Sequence, residues 1–117
     1  MKKQTIAEIE EAQRLGKLFV SDASVLEAAR LSHAGRIYLG GEIEDFVRLA
    51  QIDGGLAFLP MTHRILIEST RLPELLHKDP SDRIIAATAR EYGLTLLTRD
   101  KPLLRYAQQG HLNARKI

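Results

Sequence analysis

Short apolar runs alternate with helical patterns along this chain, and this alternation constrains the fold more than any other feature. The runs Lys17–Val20, Leu56–Leu59 and Thr95–Thr98 each predict a short buried strand. Helical patterns lie between these runs and on both sides of them. Because strands separated by helical connections usually lie parallel in one sheet, the order predicts an α/β fold with helices on the faces of a parallel sheet.

Two capping boxes predict where the first helices begin. Thr5 is followed three residues later by Glu8, and Ser24 is followed in the same way by Glu27. The first helix is expected to extend to Leu15, before a glycine, and the second to end near a glycine at position 35.

Further helices are indicated by apolar stripes and by cap residues. The stretch Glu42–Ile52 places its apolar residues on one helical stripe, and Thr62 can cap a short helix that follows. Asp79 can cap a helix with Pro80 at its first position and Gly93 at its end. A last short helix is expected after the proline at position 102.

Composition limits the classes of protein that the chain can belong to. Its 117 residues suit a single domain, 1–117, since domains have roughly 100–200 residues. The absence of Cys excludes disulfides, thiolate zinc sites and cysteine nucleophiles. The absence of Cys also fits a cytoplasmic protein, and no apolar run approaches the roughly 18 residues of a membrane span. The net charge of +2 permits a nucleic-acid partner without requiring one.

Acidic residues occur where the predicted strands lead into helices. Asp22 and Glu27 follow the first strand, Asp79 and Asp82 begin the helix at Pro80, and Asp100 follows the third strand. Functional groups of parallel α/β sheets gather at the carboxyl ends of the strands. Converging carboxylates there could bind Mg²⁺ or Mn²⁺, which activate water and offset charge on a phosphate.

Each of these acidic residues also has a structural explanation. Glu27 can complete a capping box, Asp79 can cap a helix, and Asp82 can favour a helix dipole. Asp100 can be a turn residue. The basic residues near them either balance this charge or contact phosphates; they are Lys78, Arg83, Arg99 and Lys101.

Two segments carry a resemblance to a known family. The run LLHKDPSDRIIAATA at 75–89, followed by YGLTLLTRD at 92–100, resembles the C-terminal half of VapC-type toxins with a PIN domain. The run VSDASVLEAA at 20–29 is similar to the family's second strand and the following helix. The resemblance places the family's acidic positions on Glu27, Asp82 and Asp100.

This resemblance implies a fold, an activity and partners. It implies a three-layer α/β/α fold with a parallel sheet, bound Mg²⁺ or Mn²⁺, and endoribonuclease activity on RNA. It also implies a homodimer and neutralisation by a VapB-like antitoxin. Glu27, Asp82 and Asp100 would be the catalytic and metal-binding residues, with Asp22 and Asp79 as further metal ligands. Ser21 and Thr98 would support them by hydrogen bonds, and Arg83, Arg99 or Lys101 would contact phosphates.

The N-terminal part departs from the family pattern. PIN domains begin with a central strand that ends in Asp, whereas this sequence opens with a helix. We therefore expect an N-terminally shortened PIN-like fold. A competing alignment takes the strand before Asp22 as the first strand, but the interval to Asp82 is then short for a complete domain. The missing first Asp supports an alternative function, a catalytically impaired relic that acts through protein binding.

Loss of one family carboxylate predicts weak binding of Mg²⁺ or Mn²⁺, because each lost charge lowers affinity for a hard cation. Calorimetric titration with Mn²⁺ should give a small heat for the wild type and a smaller one for Asp82→Asn. Equal heats for the two proteins would show that Asp82 is not a ligand.

Overall fold

The computed structural model describes residues 1–74 and 79–117. These residues form two compact units, Met1–Pro60 and Met61–Ile117, called here the first and the second unit. The expectation of a single domain over the whole chain stays a prediction. Among the described residues, no helix is long and apolar enough to cross a membrane.

The first unit contains three helices and two strands. Strands β1 and β2 pair in parallel, with Phe19 beside Ala57 and Ser21 beside Leu59. Helices α2 and α3 lie between the two strands in the chain and form the crossover that parallel pairing requires. The elements in order are α1 (Lys3–Arg14), β1 (Phe19–Ser21), α2 (Asp22–His33), α3 (Ile43–Ile52) and β2 (Ala57–Leu59).

The described residues of the second unit also form three helices and two strands, but in a different order along the chain. Strands β3 and β4 pair in parallel, with Leu96 beside Ala114 and Thr98 beside Lys116, and one helix connects them. The elements in order are α4 (His63–Thr70), α5 (Pro80–Tyr92), β3 (Leu96–Thr98), α6 (Lys101–Gln108) and β4 (Ala114–Lys116).

The predicted α/β class and the parallel pairing are confirmed. All three predicted strands are present, although each has only three residues. The described strands form two sheets of two strands. Strand β4 was not predicted, because the run Ala114–Lys116 has two cations in three residues and no apolar alternation.

Both predicted capping boxes are wrong. Helix α1 begins at Lys3, so Thr5 lies inside it and is buried, and its N-cap residue makes no side-chain cap. Helix α2 begins at Asp22, and the cap is Ser21 rather than Ser24. In both cases the helix extends two or more residues upstream, because no residue there prevents helical geometry.

Small side chains on α5 organise the core of the second unit. Ala86, Ala87 and Ala89 are buried and let neighbouring helices approach closely. Ile65 of α4 and Tyr106 of α6 are the largest fully buried side chains of the described residues. Burial raises the pKa of the Tyr106 hydroxyl, which donates a hydrogen bond to the Pro73 carbonyl. The remaining buried apolar residues of this cluster are Leu72, Leu103 and Leu112.

The first unit buries less apolar surface. Its fully buried residues are Thr5 and Ala23. Large apolar side chains remain exposed on α3, with Leu49 at 53% and Ile52 at 70%. Tyr38, in the segment before α3, is 91% exposed. Helix α3 therefore leaves part of its apolar surface uncovered within the chain.

Two isoleucines on α4 give a matched test of the core of the second unit. Ile65 is completely buried, whereas Ile67 is 48% exposed. Ile65→Ala should lower the free energy of unfolding by about 2–5 kcal/mol, because it removes transfer energy and leaves a cavity. Ile67→Ala should lower the free energy of unfolding by a clearly smaller amount. Urea denaturation followed by circular dichroism measures both, and equal losses would contradict this packing.

Candidate functional site

The end of β1 leads directly into α2 through Ser21 and Asp22. The Ser21 hydroxyl oxygen accepts a hydrogen bond of 3.1 Å from the backbone N–H of Ala23 and caps the helix. Asp22 is the first residue of α2 and is half-buried. Its negative charge therefore interacts favourably with the helix dipole at this end. The Ser21 hydroxyl thus bonds to the helix backbone, and its expected role as a support of the acidic site stays a prediction.

Glu27 lies on α2, one turn after its start. Its carboxylate forms an ion pair of 3.0 Å with Arg30 and is 42% exposed. An exposed pair of this spacing contributes at most about 0.5 kcal/mol, so it does not fix the carboxylate rigidly. The capping role proposed for Glu27 is wrong, because Ser21 rather than Ser24 caps the helix.

The turn after β3 also contains a hydroxyl that accepts a backbone hydrogen bond, but a carboxylate caps the helix that follows. The Thr98 hydroxyl oxygen accepts a hydrogen bond of 3.0 Å from the backbone N–H of Asp100. The Asp100 carboxylate accepts one of 3.0 Å from the N–H of Leu103 and so caps α6. Thr98 and Asp100 thus fix the turn that joins β3 to α6. The expected role of Thr98 as a hydrogen-bond support of a metal site stays a prediction.

Asp79 and Asp82 share the first turn of α5. One Asp79 oxygen accepts hydrogen bonds from the N–H groups of Ser81, at 2.9 Å, and Asp82, at 3.4 Å. The predicted cap at Asp79, with Pro80 in the first position, is confirmed. Asp82 is half-buried and lies at the third position of the helix, where its charge favours the dipole. Helix capping therefore accounts for the acidic residue at Asp79 more completely than the helix dipole accounts for the one at Asp82.

Two of the basic residues contact backbone oxygens. Arg83 donates from Nε to the Ser69 carbonyl at 2.9 Å, which joins α5 to α4. Arg99 donates from Nε to the backbone oxygen of Ile117 at 3.0 Å. Lys101 is the exposed first residue of α6. Lys78 lies outside the described residues.

The acidic residues are distributed over both units. Asp79, Asp82 and Asp100 belong to the second unit, and Asp22 and Glu27 belong to the first. Within residues 1–74 and 79–117, no three His, Asp or Glu side chains form a group that could hold a metal ion. Carboxylates suit a hard cation, but the described positions do not contain a three-donor ligand set. The convergence of Glu27, Asp82 and Asp100 stays a prediction.

The sequence did not predict the cations that β4 places beside the turn from β3 to α6. Lys116 pairs in register with Thr98, directly beside the turn that contains Asp100. A signal was present in the sequence, since two cations follow each other at 115 and 116. Without the strand assignment, nothing in the pattern placed them near Asp100.

The contribution of the Asp100 cap to stability can be measured separately from any role of the Asp100 charge. Asn caps helices about as well as Asp, whereas Ala does not. Asp100→Ala should therefore lower the free energy of unfolding by about 1 kcal/mol, and Asp100→Asn should keep it nearly unchanged. Urea denaturation of both variants checks this. Equal stability of the Ala and Asn variants would show that the cap contributes little.

Comparison with known proteins identifies the family. No curated protein matches the chain significantly. The model of the PIN domain family matches residues 2–109, which is all but nine of the 117 residues. PIN domains are generally metal-dependent nucleases, so the match suggests a nuclease-like function. Because the match covers nearly the whole sequence, this chain belongs to the PIN domain family.

Proposed function

We propose that this chain is a metal-dependent endoribonuclease of the VapC toxin type, which cleaves RNA in the cytoplasm as part of a toxin–antitoxin system. The observation that carries the proposal is the match to the PIN domain family over residues 2–109. The acidic residues at the starts of α5 and α6 add support, because PIN domains are generally nucleases that use metal ions.

Asp82 and Asp100 are the two carboxylates on which the proposal depends most. Both are half-buried, and each lies in the first turn or the cap of a helix in the second unit. Mg²⁺ usually keeps several waters and is bound by one or two carboxylates together with substrate phosphates. A complete three-carboxylate group is therefore not required before RNA binds. Glu27 would be the third acidic residue, and Asp22 and Asp79 would be auxiliary ligands.

A homodimer and a VapB-like antitoxin are the proposed protein partners. The support comes from the exposed apolar side chains of the first unit. Phe46, Leu49 and Ile52 on α3 are between 43% and 70% exposed. Neighbouring apolar side chains that stay exposed on one helix often mark a protein-binding surface.

A second candidate is a catalytically impaired PIN domain that acts only through protein binding. Two observations favour it. The described residues contain no three-donor metal group, and caps or an ion pair engage Asp79, Asp100 and Glu27. The apolar surface on α3 would remain useful to such a protein. Activity measurements distinguish the two candidates.

Single substitutions of Asp by Asn test the nuclease. Asp82→Asn and Asp100→Asn should each lower the rate of RNA cleavage in Mn²⁺ by at least about 100-fold, because each removes a charged ligand while keeping its shape. Asp53→Asn is the matched control, since Asp53 is an exposed residue at the end of α3. The rate is measured with a labelled RNA, and folding is checked by circular dichroism.

The same RNA cleavage assay tests the role of Asp22. If it substitutes for the carboxylate that the family has on its first strand, Asp22→Asn should lower the rate as well. Loss in Asp100→Asn but not in Asp22→Asn would remove Asp22 from the site. Absence of cleavage by folded wild-type protein would reject the nuclease and leave the protein-binding candidate.

A further inference from the structure

A polar contact joins helices α4 and α5 near each of their ends. Arg64, near the start of α4, forms an ion pair of 2.7 Å with Glu91, near the end of α5. At the opposite end, the Nε of Arg83 on α5 donates a hydrogen bond of 2.9 Å to the carbonyl oxygen of Ser69 on α4. The two helices therefore lie side by side in opposite directions. The bond from Arg83 lies at the end that carries Asp82.

The two contacts differ in their exposure to solvent. The side chain of Arg64 is 70% exposed, and an ion pair with so exposed a partner contributes little. Ser69 is buried, with 8% of its surface exposed, and Arg83 is half-buried. A hydrogen bond from an ionised donor is roughly twice as strong as a neutral one, and a low local dielectric strengthens it further. The bond from Arg83 therefore constrains α5 more than the ion pair does.

The charge of Arg83 suits the end of α4 better than the start of its own helix. The last carbonyls of a helix lack partners within that helix, and a cation beside them is favourable. Helix α4 has no basic residue in its last turn, so Arg83 supplies one from α5. Arg83 is the fourth residue of α5, where a cation is unfavourable for the dipole of α5 itself. Its position is thus explained by the contact with α4.

A second hydrogen bond holds the segment after α4 from another helix. The hydroxyl of Tyr106 on α6 donates to the carbonyl oxygen of Pro73. Burial raises the pKa of Tyr106, and the charges of Arg90 and Arg83 partly oppose this increase. Arg83 thus lies near enough to α6 for its charge to act on this buried hydroxyl. The end of α4 and the segment after it are therefore bound to both α5 and α6.

We propose that Arg83 is a positioning residue, which holds the first turn of α5, and with it Asp82, in place through the Ser69 carbonyl. The inference rests on the proposed nuclease function, in which Asp82 acts. The two residues are adjacent on α5, so a shift of the backbone at Arg83 also moves Asp82. Misplacement of a reacting group by about 1 Å can lower a rate about 100-fold. This role differs from the phosphate contact that the family resemblance implies for Arg83.

Two substitutions of Arg83 separate positioning from phosphate contact. The side-chain nitrogen of Gln is as many bonds from the backbone as the Nε of Arg, so Arg83→Gln keeps a donor for Ser69 but loses the charge. Met has nearly the same length and no N–H donor, so Arg83→Met loses both. The matched control is Arg64→Met, which removes the ion pair at the opposite end of the two helices. Circular dichroism checks that all variants are folded.

The first measurement needs neither metal nor RNA. Nuclear magnetic resonance relaxation gives order parameters for the backbone N–H groups of Ser81 and Asp82. We expect values near 0.85, which are typical of rigid backbone, in the wild type, in Arg83→Gln and in the control. Arg83→Met should lower them, because the first turn of α5 loses its bond to α4.

The second measurement is the kinetics of RNA cleavage in Mn²⁺. Arg83→Met should lower kcat at least about 10-fold with little change in KM, because it disturbs the reacting geometry rather than the binding of RNA. Arg83→Gln and Arg64→Met should stay close to the wild type. A phosphate contact predicts instead that Arg83→Gln and Arg83→Met raise KM by similar amounts.

Equal order parameters in the wild type and Arg83→Met would overturn the inference. A similar rise of KM in both Arg83 variants would also overturn it and would identify a phosphate contact. An equal loss of kcat in Arg64→Met would do the same, since general loosening between α4 and α5 would then explain the effect. Absence of cleavage by folded wild-type protein would reject the nuclease alone, and the order parameters would then decide whether Arg83 holds Asp82.

Discussion

Close packing against the small residues of α5 is the interaction on which the second unit depends. Two parallel strands of three residues form few hydrogen bonds and are only marginally stable by themselves. Ala86, Ala87 and Ala89 allow side chains from α4 and α6 to approach α5, and the buried Ile65 and Tyr106 complete that contact. The same packing fixes the first turn of α5, with Asp82, and the capped start of α6. The positions of Asp82 and Asp100 thus follow from the hydrophobic core of the second unit.

Local sequence signals predicted the helix boundaries of the second unit well where particular residue types specify the boundary. Asp79 and Pro80 specify the start of α5, and Gly93 ends it with a left-handed backbone that favours glycine. Thr62 caps α4 as expected. At these positions the required backbone geometry excludes most other residue types, so one short motif is sufficient to predict the helix boundary.

The predicted helix starts were wrong where several residues could begin the same helix. Thr5 and Ser24 both have the pattern of a capping box, but the chain upstream of each can also be helical, and the helices extend to Lys3 and Asp22. Strand β4 was missed for a different reason. Its conformation depends on pairing with Leu96–Thr98, which is distant in sequence, and its own cations give no strand pattern. A contact distant in sequence therefore determined β4 and the position of Lys116.

The structural and functional interpretations of the acidic residues are compatible. An ionised carboxylate has two oxygens and about four lone-pair sites, so one hydrogen bond to a helix N–H does not exhaust its capacity. Asp79 accepts two cap bonds from the start of α5, and Asp100 accepts one from the start of α6. A cap also holds the carboxylate in one orientation, which lowers the entropy lost when a cation or phosphate-bound water is recruited. A helix cap such as Asp79 or Asp100 is therefore a suitable position for a ligand, because the same hydrogen bond that caps the helix also orders the charge.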